Sequence, residues 1–216
     1  MIDNSKQRTK DNKKAKRKLL IIIAAIAGIM LILLLASVII DKIQSKSGEE
    51  YEVDFNFYPA DFQENIYENQ KYSELIAGEF IRFCDSDTNV TVGIDKETAI
   101  SYGEGVELIV NTLYDAINGD YESYNSRFSD IYYQDNSPKD AFTMQMIYDV
   151  KITRISEEKD SDYTKSYYCV EYKIYQNNGT FRRDIGNGSK KQYFTISNAS
   201  GEYLIDSIET VIINKK

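Results

Sequence analysis

Apolar residues follow three patterns along this chain, and each pattern predicts a different element. The first is a continuous apolar run of 22 residues at 19–40, interrupted only by Gly28 and Ser37. A helix of this length spans roughly 33 Å at about 1.5 Å per residue, enough to cross a bilayer core that is about 30 Å thick. The run therefore predicts a single transmembrane helix.

A cleaved signal peptide is the main alternative to a membrane anchor. Its apolar core would be about 7–15 residues long and would end in small residues at a cleavage site. Here the apolar run is longer, and Ile40 is followed directly by Asp41 and Lys42. We therefore favour an uncleaved anchor.

The second pattern has the period of a helix. Apolar side chains recur every three or four residues over 103–118, which places them on one face of an amphipathic helix. That face consists of Val106, Ile109, Val110, Leu113, Tyr114 and Ile117. Gly119 is a typical helix stop, and Asp120 can cap a second helix. The face of the second helix would consist of Tyr121, Tyr124 and Phe128.

The third pattern is an alternation that begins at residue 143 and predicts an antiparallel meander. The predicted strands are 143–156, 163–176, 180–185 continued by 191–197, and 202–213. Met144, Met146, Tyr148, Val150 and Ile152 would share one face of the first strand, and Tyr168, Val170, Tyr172 and Ile174 one face of the second. Asn178-Gly179 predicts a type I′ hairpin turn after the second strand.

Two short elements are predicted between the helices and the meander. Residues 131–133 are apolar enough for a short strand. Ser137-Pro138 predicts a brief third helix over 139–142, because proline is favoured at the first helical position.

Residues 51–99 form an arm that is rich in aromatic and acidic side chains. Residues 60–67 are its candidate short helix, and 78–84 and 88–94 predict a hairpin around a turn-prone Asp-Ser-Asp cluster. Two interpretations stay open: the arm packs its aromatic rings on the domain, which we favour, or it is a strip that binds a partner.

The charges orient the predicted anchor. Residues 1–18 carry eight basic and two acidic side chains, whereas the rest of the chain carries 18 basic and 32 acidic ones. A basic flank marks the cytoplasmic side of a span, so 1–18 is predicted to be a cytoplasmic tail and the remainder extracytoplasmic. Residues 41–50 are a short polar tether, and the short Lys-rich tail is typical of a bacterial protein. The acidic balance argues against nucleic acid as a partner.

The composition also limits the possible chemistry. Histidine is absent, which removes the commonest metal ligand and the usual general base, and no metal or cofactor site is predicted. Cys84 and Cys169 are either a disulfide or two buried thiols, and we favour two thiols.

Two to three helices followed by a bent antiparallel sheet of four to five strands is an α+β pattern. This order, together with the junction at 119–125 (Gly-Asp-Tyr-Glu-Ser-Tyr-Asn), resembles the nuclear-transport-factor-2-like (cystatin-like) superfamily over residues 100–213. The resemblance implies one domain at 100–216 with a conical pocket between the long helix and the sheet. In layout the chain is similar to bitopic scaffold subunits of type IV secretion and conjugation systems.

Enzymes of that superfamily usually place a carboxylate inside the cone, often with His or Tyr. By this resemblance Asp206, on an otherwise apolar face of the last strand, is a candidate base, and Tyr148 and Tyr172 are candidate pocket residues. The alternative, which we favour, is a structural carboxylate bridged to Arg182 or Arg183. The sequence Arg182-Arg183-Asp184 itself is typical of a solvated charge cluster.

Two functions from different classes follow. The first, which we favour, is a non-enzymatic scaffold or protein-interaction module that is anchored in the bilayer and binds a protein partner or a second copy of itself. The alternative is a small-molecule-binding or catalytic domain that uses Asp206 in a cone-shaped pocket.

Overall fold

A six-stranded mixed sheet is the framework of the part of the chain that this computed structural model describes, namely residues 57–161, 163–185, 190–199 and 201–210. The strands are β1 (Ile81–Asp85), β2 (Thr91–Ile94), β3 (Ile147–Lys159), β4 (Thr164–Ile174), β5 (Lys190–Ser197) and β6 (Leu204–Thr210). Their order across the sheet is β2-β1-β3-β4-β5-β6. Every neighbouring pair is antiparallel except β1 and β3, which run parallel.

Four α-helices accompany the sheet in these ranges. They are α1 (Gln70–Leu75), α2 (Glu104–Ile117), α3 (Tyr121–Ser126) and α4 (Tyr132–Asp135), with single 3₁₀ turns at Ile66–Glu68 and Ala99–Tyr102. The buried stripe of α2, which includes Val106, Ile109 and Val110, belongs to one core with the inward side chains of β3 and β4. The other face of the central strands carries mostly charged and polar side chains.

The α+β class is confirmed, but the predicted antiparallel sheet of four to five strands is wrong. The hairpin predicted in the arm forms as β1 and β2, and β1 then pairs in parallel with β3. Residues 81–94, assigned to the arm from sequence, are thus strands of the same sheet. A periodic pattern shows which residues form a strand, but it does not show which distant strand lies beside it.

The predicted anchor at 19–40, tail at 1–18 and tether at 41–50 lie outside the described residues. Residues 51–56 of the arm and 211–213 of the last predicted strand also lie outside them. No helix within the described ranges is both long enough and apolar enough to cross a membrane.

The end of α2 follows directly from the local sequence. Gly119 has φ 69°, a conformation that glycine adopts without a steric penalty. Its N–H donates to the carbonyl of Ala116 (3.2 Å), and the N–H of Asp120 donates to that of Asp115 (2.9 Å), which together form a Schellman cap. The Asp120 side chain then caps α3 by accepting from the Ser123 N–H (3.0 Å). The predicted helix, its stop and the following cap are all confirmed.

The short predicted elements are wrong in place or in type. Residues 131–133 lead into α4 instead of forming a strand. Residues 60–65 are irregular, 66–67 belong to the 3₁₀ turn that begins after Asn65, and α1 begins after Asn69. Residues 139–142 form no helix. Asn125 binds both backbone groups of Lys139, accepting from its N–H (2.9 Å) and donating to its carbonyl (2.9 Å), and so holds this segment extended.

A bulge in β3 changes which side chains face the core. Asp149 has φ 51°, and the register with β4 shifts between Tyr148 and Lys151. Ile147 is buried before the bulge, and Val150 and Ile152 are buried after it. The predicted single face of 144–152 is therefore broken, and Tyr148 is only half-buried where it packs against the core.

The connection from β4 to β5 is a long loop and not the predicted type I′ turn. Gly179 has φ 75°, but Asn178 does not have the positive φ that this turn requires. The buried side chain of Asn177 organises the loop: it donates to the carbonyls of Arg182 (2.9 Å) and Ile185 and accepts from the Gly179 N–H (2.8 Å). Residues 180–185 therefore belong to this loop and form no strand.

The two cysteines are too far apart to pair within one chain. Cys84 on β1 and Cys169 on β4 are both in register with Thr153, which lies between them on β3. Two strand spacings separate their Cα atoms by roughly 9.6 Å, beyond the limit of about 7 Å for a disulfide. Both are free thiols, and burial raises the pKa of Cys169.

Candidate functional site

The structure does not bring the three candidate residues from the sequence together. Tyr172 lies on the inner face of β4 and is buried, and burial raises the pKa of its hydroxyl to about 12. Tyr148 lies on the opposite face of the sheet because of the Asp149 bulge, and the Lys173 Nζ sits 5.9 Å from its ring centroid. The two tyrosines therefore cannot line one pocket.

Asp206 lies at a second bulge, where the register between β5 and β6 shifts. Its side chain is half-buried, and Oδ1 accepts a hydrogen bond from the Ser129 hydroxyl (2.8 Å). Tyr172 is in register with Lys190 on β5. Asp206 lies about five residues, or roughly 17 Å, further along the strand direction. Asp206 thus joins β6 to the segment between α3 and α4, and the predicted bridge to Arg182 or Arg183 does not form.

Arg182 is instead the centre of a different polar group. Its Nε and Nη2 donate to the two carboxylate oxygens of Asp184 (2.9 and 2.7 Å), and Nη2 also donates to the Thr210 hydroxyl (3.0 Å). Only 16% of the Arg182 side chain is exposed, so this is not the solvated cluster predicted from sequence. Burial by itself would lower the pKa of the guanidinium, but the hydrogen-bonded Asp184 together with Tyr172 and Tyr124 outweighs burial, and the pKa is raised.

Gln192 links Arg182 to the core. Its amide lies 3.3 Å from the Tyr172 hydroxyl, 3.1 Å from the Thr210 hydroxyl and 3.0 Å from Nη2 of Arg182. One orientation satisfies all three groups: the nitrogen donates to Tyr172, and the oxygen accepts from Thr210 and Arg182. Because Gln192 is itself buried, the guanidinium is fixed in place.

Lys139 lies beside this group. Its Nζ donates to the carbonyl of Phe181 (3.3 Å) and sits 5.2 Å from the centroid of the Phe181 ring. Burial lowers the pKa of the ammonium group, and the nearby positive charge of Arg182 lowers it further, while Asp184 acts in the opposite direction. A second cation is therefore held next to the first in a place that disfavours its charge.

An open depression of about 400 Å³ connects these side chains; we call it the Lys139–Arg182 cleft. Its polar wall contains Lys139, Arg182 and Asp184, and its aromatic wall contains Tyr124, Tyr132 and Phe181. Sequence reasoning missed this cleft. The Arg182-Arg183-Asp184 triplet was the one sequence feature that pointed to it. Lys139, the other cation of the cleft, lies more than forty residues earlier in the chain, in a segment predicted as a helix.

A second distinctive feature is the segment 57–69, which we call the aromatic–acidic surface. It leaves 55% of Tyr58, 65% of Phe62 and 46% of Tyr67 exposed. The same segment contains Asp61, Glu64 and Glu68 and no basic residue. The exposed rings favour the interpretation of the arm as a strip that binds a partner. Tyr72, just beyond this surface, packs into the core, which favours the interpretation that the arm packs on the domain.

Several contacts hold the aromatic–acidic surface on the domain. The N–H of Tyr58 donates to the carbonyl of Asn177 (3.3 Å), and the Tyr67 hydroxyl donates to Asn118 Oδ1 (3.2 Å). The Phe57 ring lies close against Gly179. The exposed rings are therefore presented from an anchored backbone.

Comparison with protein-family models, curated protein sequences and solved structures finds no match for this chain. Within the described ranges, no group of three or more acidic, cysteine or histidine side chains is placed to hold a metal ion. The chemistry of the aromatic–acidic surface and of the Lys139–Arg182 cleft is what indicates function.

Proposed function

We propose that the protein is a membrane-anchored extracytoplasmic interaction module that contacts a protein partner through the aromatic–acidic surface. The observation that carries this proposal is the exposure of Tyr58, Phe62 and Tyr67 on one short segment that is tied to the domain. Aromatic side chains are enriched at protein interfaces, and anchoring the backbone beforehand reduces the entropy lost on binding.

The charge of the surface indicates the chemistry of its partner. Asp61, Glu64 and Glu68 give it three negative charges within thirteen residues. A complementary surface would carry Lys or Arg around an apolar recess that accepts the Phe62 ring. Two copies of the acidic surface would repel one another, so we propose a different protein and not self-association through this segment.

The position of the surface in the chain supports a partner that lies near the membrane. Sixteen residues separate the predicted anchor at 19–40 from Phe57, and a chain of this length reaches at most roughly 55 Å. The partner is then a membrane protein or part of a membrane-bound complex. This layout supports, by resemblance alone, a scaffold role like that of bitopic subunits of secretion and conjugation systems.

The proposed nuclear-transport-factor-2-like relationship has a structural argument of its own. One long helix, α2, precedes four strands, β3 to β6, that pair in chain order and cover one face of that helix. This arrangement supports the resemblance. The resemblance rests on β3 to β6 alone, and the parallel pairing of β1 with β3 lies outside that part of the sheet.

The proposed topology predicts a protease-protection result. In cells stripped of their wall, added protease should remove an epitope placed after Lys216 and spare one placed before Met1. Replacing five basic residues by Gln should give mixed topologies, because those charges hold the tail inside. They are Lys13, Lys14, Lys16, Arg17 and Lys18. Protection of the C-terminal epitope would refute the orientation, and a soluble product that begins near Asp41 would indicate a cleaved signal.

The interaction predicts a site-specific crosslink. A photoreactive phenylalanine analogue at position 62 of the full-length chain should give one discrete adduct in membranes. The same analogue at Ile131, which is 54% exposed elsewhere on the domain, should not. Glu64→Lys should reduce the yield from position 62 at least fivefold, because it reverses a charge beside the contact.

The adduct is informative only if its partner fits the proposed chemistry. The crosslinked peptide of the partner, identified by mass spectrometry, should contain Lys or Arg beside apolar residues. Equal yields from positions 62 and 131, or no effect of Glu64→Lys, would refute a specific surface. An adduct between two copies of this chain would replace the proposed partner by a homo-oligomer.

A further inference from the structure

The charges that line the Lys139–Arg182 cleft are not balanced by ion pairs among the described residues. Lys139, Arg182, Arg183 and Asp184, which line it, together carry two net positive charges in a chain whose formal net charge is −8. Arg182 is neutralised by its two hydrogen bonds to Asp184. The ammonium group of Lys139 forms no ion pair among the described residues, although burial of a cation without a counter-charge is costly.

The hydrogen-bonding capacity of the cleft is also incomplete. An ammonium group has three N–H donors, and within the described part of the chain Lys139 uses one of them, on the carbonyl of Phe181. Two donors therefore remain at the edge of the depression. Arg182 next to it cannot reorient, because Asp184, Thr210 and Gln192 fix its guanidinium.

The walls of the cleft restrict the kind of anion that fits. Tyr132 supplies half-buried aromatic surface next to the two cations, and the depression of about 400 Å³ lies within the range of small-molecule sites. Arg182 is paired with Asp184, and Arg183 is exposed at the rim. The site therefore offers an anion one half-buried cation, Lys139, which matches a monoanion better than a phosphate dianion. The aromatic wall suits an organic group attached to that anion.

We propose that the Lys139–Arg182 cleft binds the carboxylate of a small aromatic acid. The carboxylate accepts hydrogen bonds from Lys139 Nζ, and the organic part lies along Tyr132. This site is separate from the aromatic–acidic surface, so it stands independently of the proposed interaction. It also differs from a site at Asp206, because it recognises an anion and assigns no proton transfer.

The test is equilibrium dialysis of the full-length chain in nanodiscs against radiolabelled benzoate, corrected with protein-free nanodiscs. We expect saturable binding to one site per chain at millimolar concentrations or below. Lys139→Met should weaken binding at least tenfold, and Lys139→Arg should restore it to within about threefold, because charge and donors return. Arg183→Met removes one exposed charge from the rim and should change the affinity less than threefold.

Each outcome of the dialysis supports or refutes the proposal. If benzoate does not saturate up to 10 mM while circular dichroism shows a folded domain, the proposal is wrong. It is also wrong if Arg183→Met and Lys139→Met weaken binding equally, which would indicate unspecific attraction. Competition by inorganic phosphate that exceeds competition by chloride at equal ionic strength would identify a phosphate site instead. Because none of these variants lies in segment 57–69, failure here leaves the crosslinking result unaffected.

Discussion

Tyr72→Ala is expected to lower the free energy of unfolding by about 3–5 kcal/mol, the range for removing a large aromatic side chain from a core. Tyr72 has no exposed surface, and its hydroxyl donates to the carbonyl of Ile147 (3.0 Å). Burial raises the pKa of this hydroxyl, so it stays a donor. Alanine would leave a cavity and remove that donor. Urea unfolding of the detergent-solubilised full-length chain, followed by circular dichroism, measures the loss.

Two further variants separate the causes of this effect. Tyr72→Phe keeps the ring and should cost about 1–2 kcal/mol, because only the hydrogen bond to Ile147 is lost. Phe62→Ala should change stability by less than about 0.5 kcal/mol, because Phe62 is an exposed aromatic of the same arm. If Tyr72→Ala costs no more than Phe62→Ala, the Tyr72 side chain is not packed in the core as described.

The sequence predicts well those elements whose residues form a local pattern. The stripe on α2 and the alternation Tyr168, Val170, Tyr172 and Ile174 in β4 each identify a buried face, because burial imposes the geometric period of the element. The end of α2 at Gly119 is equally local, since a left-handed residue after a helix favours glycine. These elements position the core and account for the correct α+β class.

Side chains that bind backbone at a distance explain most of the errors. Asn125 keeps Lys139 extended across fourteen positions of the chain, and Asn177 replaces a tight turn by a loop. The Asp149 bulge places Tyr148 on the opposite face of the sheet from the one predicted. An alternating sequence pattern does not show where a bulge will occur. Such contacts depend on the folded structure, so the local sequence does not predict them.

The candidate site was missed for the same reason. Asp206 was selected because a carboxylate stood among apolar neighbours on one strand, yet it lies at a bulge and binds Ser129. Lys139 and Arg182 lie in two irregular segments. Because these segments have no periodic pattern, the sequence does not indicate which way their side chains point. Only the fold shows that both cations line one depression. The exposed rings of segment 57–69, by contrast, were visible as an aromatic–acidic run, although their exposure was not.

Gly105 should be intolerant of alanine even though it lies in the first turn of α2. A Cβ atom at this position would lie 2.5 Å from the hydroxyl oxygen of Tyr168 and 3.1 Å from two of its ring carbons. Tyr168 is buried on β4 and has little room to move. Alanine normally stabilises a helix by about 1 kcal/mol relative to glycine, but overpacking a core costs about 1–3 kcal/mol. We therefore expect Gly105→Ala to destabilise the domain, by up to about 2 kcal/mol.

A double-mutant cycle tests whether the contact with Tyr168 is the cause. Tyr168→Phe removes the oxygen that meets the new methyl group, so in that background Gly105→Ala should be neutral or stabilising, with a coupling of at least about 1 kcal/mol. Tyr172→Phe is the matched control, because it removes a hydroxyl from the same face of β4, at a side chain that Gly105 does not approach. The penalty for Gly105→Ala should persist there. An equal penalty in both backgrounds would mean that α2 does not approach β4 at Gly105 as closely as described.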